Sequence, residues 1–194
     1  MAALALAAVA VALALGATAQ PATFDVTVTA TQVTTITCLD SPQVDETLEG
    51  TIASTAPGRA TLRGNALTFA HDGDLPLALT LSASYVGCTG SHPHGAHSCG
   101  TATKPMVPGG NLDYAGGRLL LSYDNNKQMF SEPDSCSSGV TEVARMPIAF
   151  DPHTLLARRV TVVNGTYSHD ITLTTNGTES LHWDVRFSIR FARH

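Results

Sequence analysis

Charge is scarce in this chain. Only 14% of its 194 residues are Asp, Glu, Lys or Arg, well below the roughly 25% of an ordinary globular domain, and just two residues are lysine, Lys104 and Lys127. The formal charge is -5, and no run of Lys and Arg supplies the basic face that a nucleic-acid partner requires. Aromatic residues make up 6%, too few for the two girdles of an outer-membrane barrel. No apolar run reaches the roughly 20 residues of a membrane-spanning helix, so a membrane-spanning chain is not expected. There is no Gly-x-Ser-x-Gly elbow and no glycine-rich phosphate loop leading into a helix, so hydrolase and nucleotide chemistries have no visible scaffold. Helical periodicity is also missing, apart from a scrap at Thr154 to Arg159 too short to stand alone.

What is present begins with the N-terminus. Residues Met1 to Gly16 carry no charged side chain and are almost all Ala, Leu and Val, and Ala17-Thr18-Ala19 follows in the small-x-small pattern cut by signal peptidases. Cleavage is expected before Gln20, giving a signal peptide at 1–19 and one domain at 20–194. Export follows, to the extracellular space or to the periplasm of a Gram-negative cell. No cysteine follows the cleavage site and the C-terminus is charged, so neither lipid anchor is supported.

The rest of the chain alternates with period two. Phe24, Val26, Val28 and Ala30 share one face with Ile36 and Cys38, opposite Asp25 and a row of threonines, as a half-buried strand requires. Further strands are expected around Leu48 to Ile52, Leu62, Leu67 to Phe69, Leu75 to Tyr85, Leu119 to Tyr123 and Ile148 to Phe150, with hairpin turns at Pro57-Gly58 and Gly64-Asn65. In the last strand Leu181, Trp183, Val185, Phe187, Ile189 and Phe191 oppose His182, Asp184, Arg186, Ser188 and Arg190. Two Asn-Gly pairs, at Asn164 and Asn176, carry the strongest short hairpin signal and divide this region into three strands. A two-residue loop at Asn164-Gly165 puts Val160 and Val162 on one side with Tyr167, Ile171 and Leu173. A three-residue loop at Asn176-Gly177-Thr178 opposes Leu181 to Leu173 and Trp183 to Ile171, keeping apolar residues together. Both pairs also begin N-glycosylation sequons, so Asn164 and Asn176 are acceptor sites if the host is eukaryotic.

An even cysteine count in an exported chain favours disulfides. The expected pairs are Cys88 with Cys99 and Cys38 with Cys136; Cys38 with Cys88 and Cys99 with Cys136 is the alternative. Between Cys88 and Cys99 lie His92, His94 and His97, three imidazoles able to ligate copper, zinc or nickel. The plainer reading is a solvated loop, because no carboxylate nearby in sequence orients the rings. No other cofactor is implied.

These features describe an all-β, disulfide-braced domain: a single antiparallel β-sandwich, or alternatively a small up-and-down, lipocalin-like barrel with an interior cavity. The function they fit is a secreted, non-catalytic binding or structural module for an extracellular ligand or protein. A metal protein or enzyme centred on His92, His94 and His97 is the alternative.

Overall fold

A computed structural model describes residues 20–38, 44–85, 97–106, 109–124, 143–173 and 179–194. The expected signal peptide, with its cleavage site, lies outside these residues. The described chain is nearly all β and antiparallel. The strands are β1 (Ala22–Cys38), β2 (Val44–Ser54), β3 (Gly58–Arg63), β4 (Ala66–Phe69), β5 (Asp74–Leu75), β6 (Leu77–Tyr85), β7 (His97–Pro105), β8 (Gly110–Ala115), β9 (Arg118–Asp124), β10 (Val143–Ala149), β11 (Val160–Leu173) and β12 (Glu179–Arg193). One helical turn, α1 (Thr154–Ala157), precedes β11.

The larger sheet has the order β11-β12-β1-β2-β6-β7, with β3 and β4 attached beside β1, and it curls into a half-barrel. The smaller sheet is β10-β9-β8-β5. Pro147 lies in β10, an edge strand, where a missing N–H costs no ladder bond.

Burial follows the alternation read from sequence. Phe24, Val26, Val28, Ala30, Ile36 and Cys38 are all buried on β1, and the six apolar residues of β12 are at most 4% exposed. Each large side chain so buried contributes about 1.5–3 kcal/mol of transfer free energy, which makes the β1–β12 pair the spine of the core. Rings join the two sheets: Tyr123 of β9 meets Trp183 edge-on at 6.2 Å, and Phe150 stacks on Phe191 at 5.8 Å.

Four local expectations are corrected. Pro57-Gly58 is not a hairpin turn, because β2 and β3 both pair with β1 and follow one another along it. Where the ladder breaks between them, the Val28 N–H donates to Ser54 Oγ at 2.8 Å, so a side chain replaces the lost carbonyl. The run from Leu75 to Tyr85 is not one strand. It divides at Pro76, with Leu75 in the smaller sheet and Leu77 onward in the larger, while the Pro76 carbonyl accepts from the Thr55 N–H. Gly64-Asn65, by contrast, is the two-residue hairpin expected: Arg63 opposes Ala66, and Gly64 supplies a positive φ of 58°.

The third correction is the largest. Asn164-Gly165 is not a turn; β11 runs straight through it for 14 residues. Gly165 lies opposite Phe187, and its missing side chain is filled by the Phe187 ring. With no turn to reverse the chain, Val160 and Val162 are exposed, while Val163 and Tyr167 pack against the core. Fourth, the β11–β12 register closes at Leu173 opposite Glu179, leaving 174–178 between them. Leu181 therefore opposes Ile171 rather than Leu173, and Trp183 opposes His169. An apolar residue still opposes Leu181 in the register, but that register is two residues away from the one set by a three-residue loop. Asn176, Gly177 and Thr178 themselves lie outside the described residues.

Candidate functional site

The outer face of the larger sheet is built from the polar half of each alternation. Its register brings hydroxyls into line across the strands. Thr31 opposes Thr51, Thr51 opposes Thr80 and Thr80 opposes Thr103, while on the other side Thr31 opposes Arg186 and Arg186 opposes Thr166. Thr80 and Thr103 share a hydroxyl hydrogen bond of 2.8 Å. β-branched threonine suits this pleated, solvated surface, which accounts for its abundance on β1.

Part of that face is concave. A trough of about 760 Å³ crosses β11, β12, β1 and β2. Its walls are Thr29, Thr31, Thr51, Ala53, Asn164, Thr166, Arg186 and Ser188, and its floor is the strand backbone at Ala30, Ile52, Gly165 and Phe187. Four strands span about 14 Å across the sheet, so the trough is long and shallow. Among the described residues Arg186 is the one charged residue lining it. Ser188 Oγ donates to Asn164 Oδ1, which fixes the amide at one end.

Beside the trough, on the same face, lies a constellation that alternation alone would have filed as solvated polar residues. His182 opposes Asp170, and Asp184 opposes Ser168. His182 Nδ1 contacts Asp170 Oδ1 at 2.5 Å, and Nε2 contacts Asp184 Oδ2 at 3.1 Å with Ser168 Oγ at 3.5 Å. The hydrogen bond to Asp170 raises the His182 pKa above its ordinary value, with Asp184 adding to the rise. The Ser168 hydroxyl, followed by His182, lowers that of Asp184. Serine, histidine and aspartate together suggest a nucleophile relay. A relay needs a neutral imidazole facing the hydroxyl, however, and here both ring nitrogens face carboxylates, which favours the imidazolium. The group is a cross-strand charge clamp.

Inside the half-barrel a second polar group is buried beneath the same strands. Gln32, Thr34 and Glu46 are buried on β1 and β2, and Tyr123 Oη donates to Gln32 Oε1 at 3.4 Å. Burial, with neighbouring Tyr167 adding to it, pushes the Tyr123 phenol well above its ordinary pKa. Trp183 Nε1 is buried between the Tyr123 and Tyr167 rings with no hydrogen-bond acceptor among the described residues. Its indole meets both tyrosine rings edge-on within the hydrophobic core.

The residues singled out from sequence fall as follows. Cys38 is buried at the end of β1, and Cys99 stands in β7, whereas Cys88 and Cys136 lie outside the described residues. His92 and His94 also lie outside them; His97 opens β7, with its backbone opposite Tyr85. Asn164 is exposed, though in mid-strand rather than at a turn tip, and Asn176 is outside the described residues. Among the described residues no helix is long and apolar enough to cross a membrane. Neither the trough nor the His182 clamp was visible in the sequence as a unit, because each depends on cross-strand register. Comparison with protein-family models, curated proteins and solved structures finds no match for this chain.

Proposed function

We propose that the chain is an exported, non-catalytic binding module, folded as a two-sheet sandwich braced by its cysteines, and that it holds its ligand in the trough over β11, β12, β1 and β2. The observation that carries this reading is the trough itself: about 760 Å³ of concave surface on a sheet face that would otherwise shed ligands. Concavity with a few convergent polar groups is the general mark of a binding site. The lining suits an extended, oxygen-rich chain such as a polysaccharide. Threonine hydroxyls and the Asn164 amide both donate and accept, Arg186 donates only, and threonine methyls with Ala53 add apolar surface to the walls. Among the described residues no aromatic platform stands in the exposed walls, so binding rests on hydrogen bonds. The sandwich reading is supported by the ring contacts between sheets.

The test is affinity electrophoresis through gels cast with a neutral glucan, with alginate or with soluble chitin. Retardation by at least one polymer, lost in Thr51→Arg, is the expected result, since the longer side chain fills the trough. Absence of retardation in all three, or equal retardation of Thr51→Arg, contradicts the reading. In a eukaryotic host a glycan on Asn164 would occupy the same trough and block binding until removed by an N-glycanase.

A further inference from the structure

The charge on the β11–β12 ribbon is sorted along its length. Asp170, Glu179 and Asp184 lie toward the end where β11 leads into β12, and Arg158, Arg159, Arg190 and Arg193 toward the other. At this second end a cleft of about 400 Å³ is lined by Leu156, Ala157, Arg158, Arg159, Arg193 and His194. Among the described residues its lining has three guanidinium groups and no carboxylate side chain. None of the three arginines makes an ion pair among the described residues. The backbone N–H of Arg193 donates to the Arg159 carbonyl at 2.8 Å, and its Nη1 donates to the Leu156 carbonyl at 3.5 Å, holding the two walls together. His194 Nε2 turns instead to Asp25 Oδ1 at 3.0 Å, where Arg59 also engages that carboxylate.

The second observation is apolar. Val33, Leu156, Val160 and Val162 are the exposed large hydrophobic residues among those described, and three of the four fall at this end. Leu156 is 44% exposed and lines the cleft, Val160 follows Arg158 by two residues, and Val162, at 51%, lies opposite Arg190. Such residues carry an energetic cost that water-facing positions elsewhere in the chain avoid by using threonine. Guanidinium groups bind oxyanions in forked geometry, and apolar side chains beside them want a partner with hydrocarbon as well as charge.

We infer that this end of the domain docks on an anionic phospholipid surface, with Arg158, Arg159 and Arg193 on headgroup phosphates and Leu156, Val160 and Val162 against the acyl boundary. The net charge of -5 opposes any approach to such a surface except basic end first, so the sorted charge also sets the orientation. This is peripheral attachment through residues separate from the trough lining but on the same face of β11, where Val162 stands two residues from Asn164.

The test is co-sedimentation of the full chain with vesicles of phosphatidylcholine alone and of equimolar phosphatidylcholine and phosphatidylglycerol. Binding to the anionic vesicles only, falling as salt is raised, is expected. Each arginine replaced by alanine weakens it about five-fold, near 1 kcal/mol per basic residue at an anionic surface. Leu156→Asp with Val160→Asp abolishes vesicle binding. These positions are exposed, and circular dichroism confirms that each variant remains folded. Equal binding by the Arg158→Ala, Arg159→Ala double variant overturns the proposal. So does thermal stabilisation by inorganic phosphate without vesicle binding, which would make the cleft a site for free anions.

Discussion

Gly165 of β11 stands directly opposite Phe187 of β12, so close that a Cβ at Gly165 would lie 2.3 Å from Cζ of the Phe187 ring. The glycine is there for the neighbour's ring and not for a turn. Gly165→Ala is therefore expected to destabilise by about 1–3 kcal/mol through overpacking, measured by urea denaturation. Combining it with Phe187→Leu should cost less than the sum of the two single changes. An additive pair would show that the ring does not fill the gap.

Tyr123 joins the two sheets through both its ring and its hydroxyl. Tyr123→Phe keeps the edge contact with Trp183 and removes the bond to Gln32, for an expected loss of about 1 kcal/mol. Trp183→Ala removes the indole on which both tyrosines lean, for about 3–5 kcal/mol. Chemical denaturation of the two variants gives both figures, and a Tyr123→Phe loss as large as that of Trp183→Ala would contradict this division.

The His182 clamp makes stability depend on pH in a stated direction. Its folded pKa is raised from 6.5, so its contribution is complete below 6.5 and disappears as pH rises through the raised value. The lowered pKa of Asp184 acts at the acid limit, where its contribution is lost as pH falls through that lowered value. His182→Gln should thus reduce stability at about pH 5.5 and be neutral near pH 9, by less than about 1 kcal/mol because the cluster is exposed. A larger effect at the alkaline end would reverse the assignment.

Export with disulfide bracing predicts that Cys38, Cys88, Cys99 and Cys136 are all oxidised in protein recovered from outside the cytosol. Thiol titration of denatured, unreduced material should find none free, and its N-terminus should be Gln20. Four free thiols would remove the bracing from the account.

The legible parts of the sequence were those governed by period. The buried face of β12 could be read residue by residue, as could that of β1 except in its middle, where Gln32 and Thr34 turn inward and Val33 faces solvent. Gly64-Asn65 could be read because its turn preference agrees with the pairing of β3 and β4, where Arg63 opposes Ala66. Asn164-Gly165 carries the same local signal and misleads, since the turn preference of two residues is set against the burial of a whole strand and the Phe187 ring fills the glycine. Pro76 misleads in another way: alternation passes through it unchanged while the chain moves from one sheet to the other.

Sites on this fold are further from the sequence than its strands. Thr31, Thr51 and Arg186 are far apart in the chain and become one wall only when β12, β1 and β2 are placed side by side. The pairing of His182 with Asp170 needs the β11–β12 register, which the expected loops misplaced.

The trough exists because β11 runs unbroken beside β12, so the most direct test is the set of cross-strand nuclear Overhauser effects in the labelled protein. Contacts from Gly165 to Phe187 and from Thr166 to Arg186 are the expected result. Contacts from Val162 to Tyr167, as in a two-residue hairpin at Asn164-Gly165, would break the strand, remove the trough and contradict the binding function built on it.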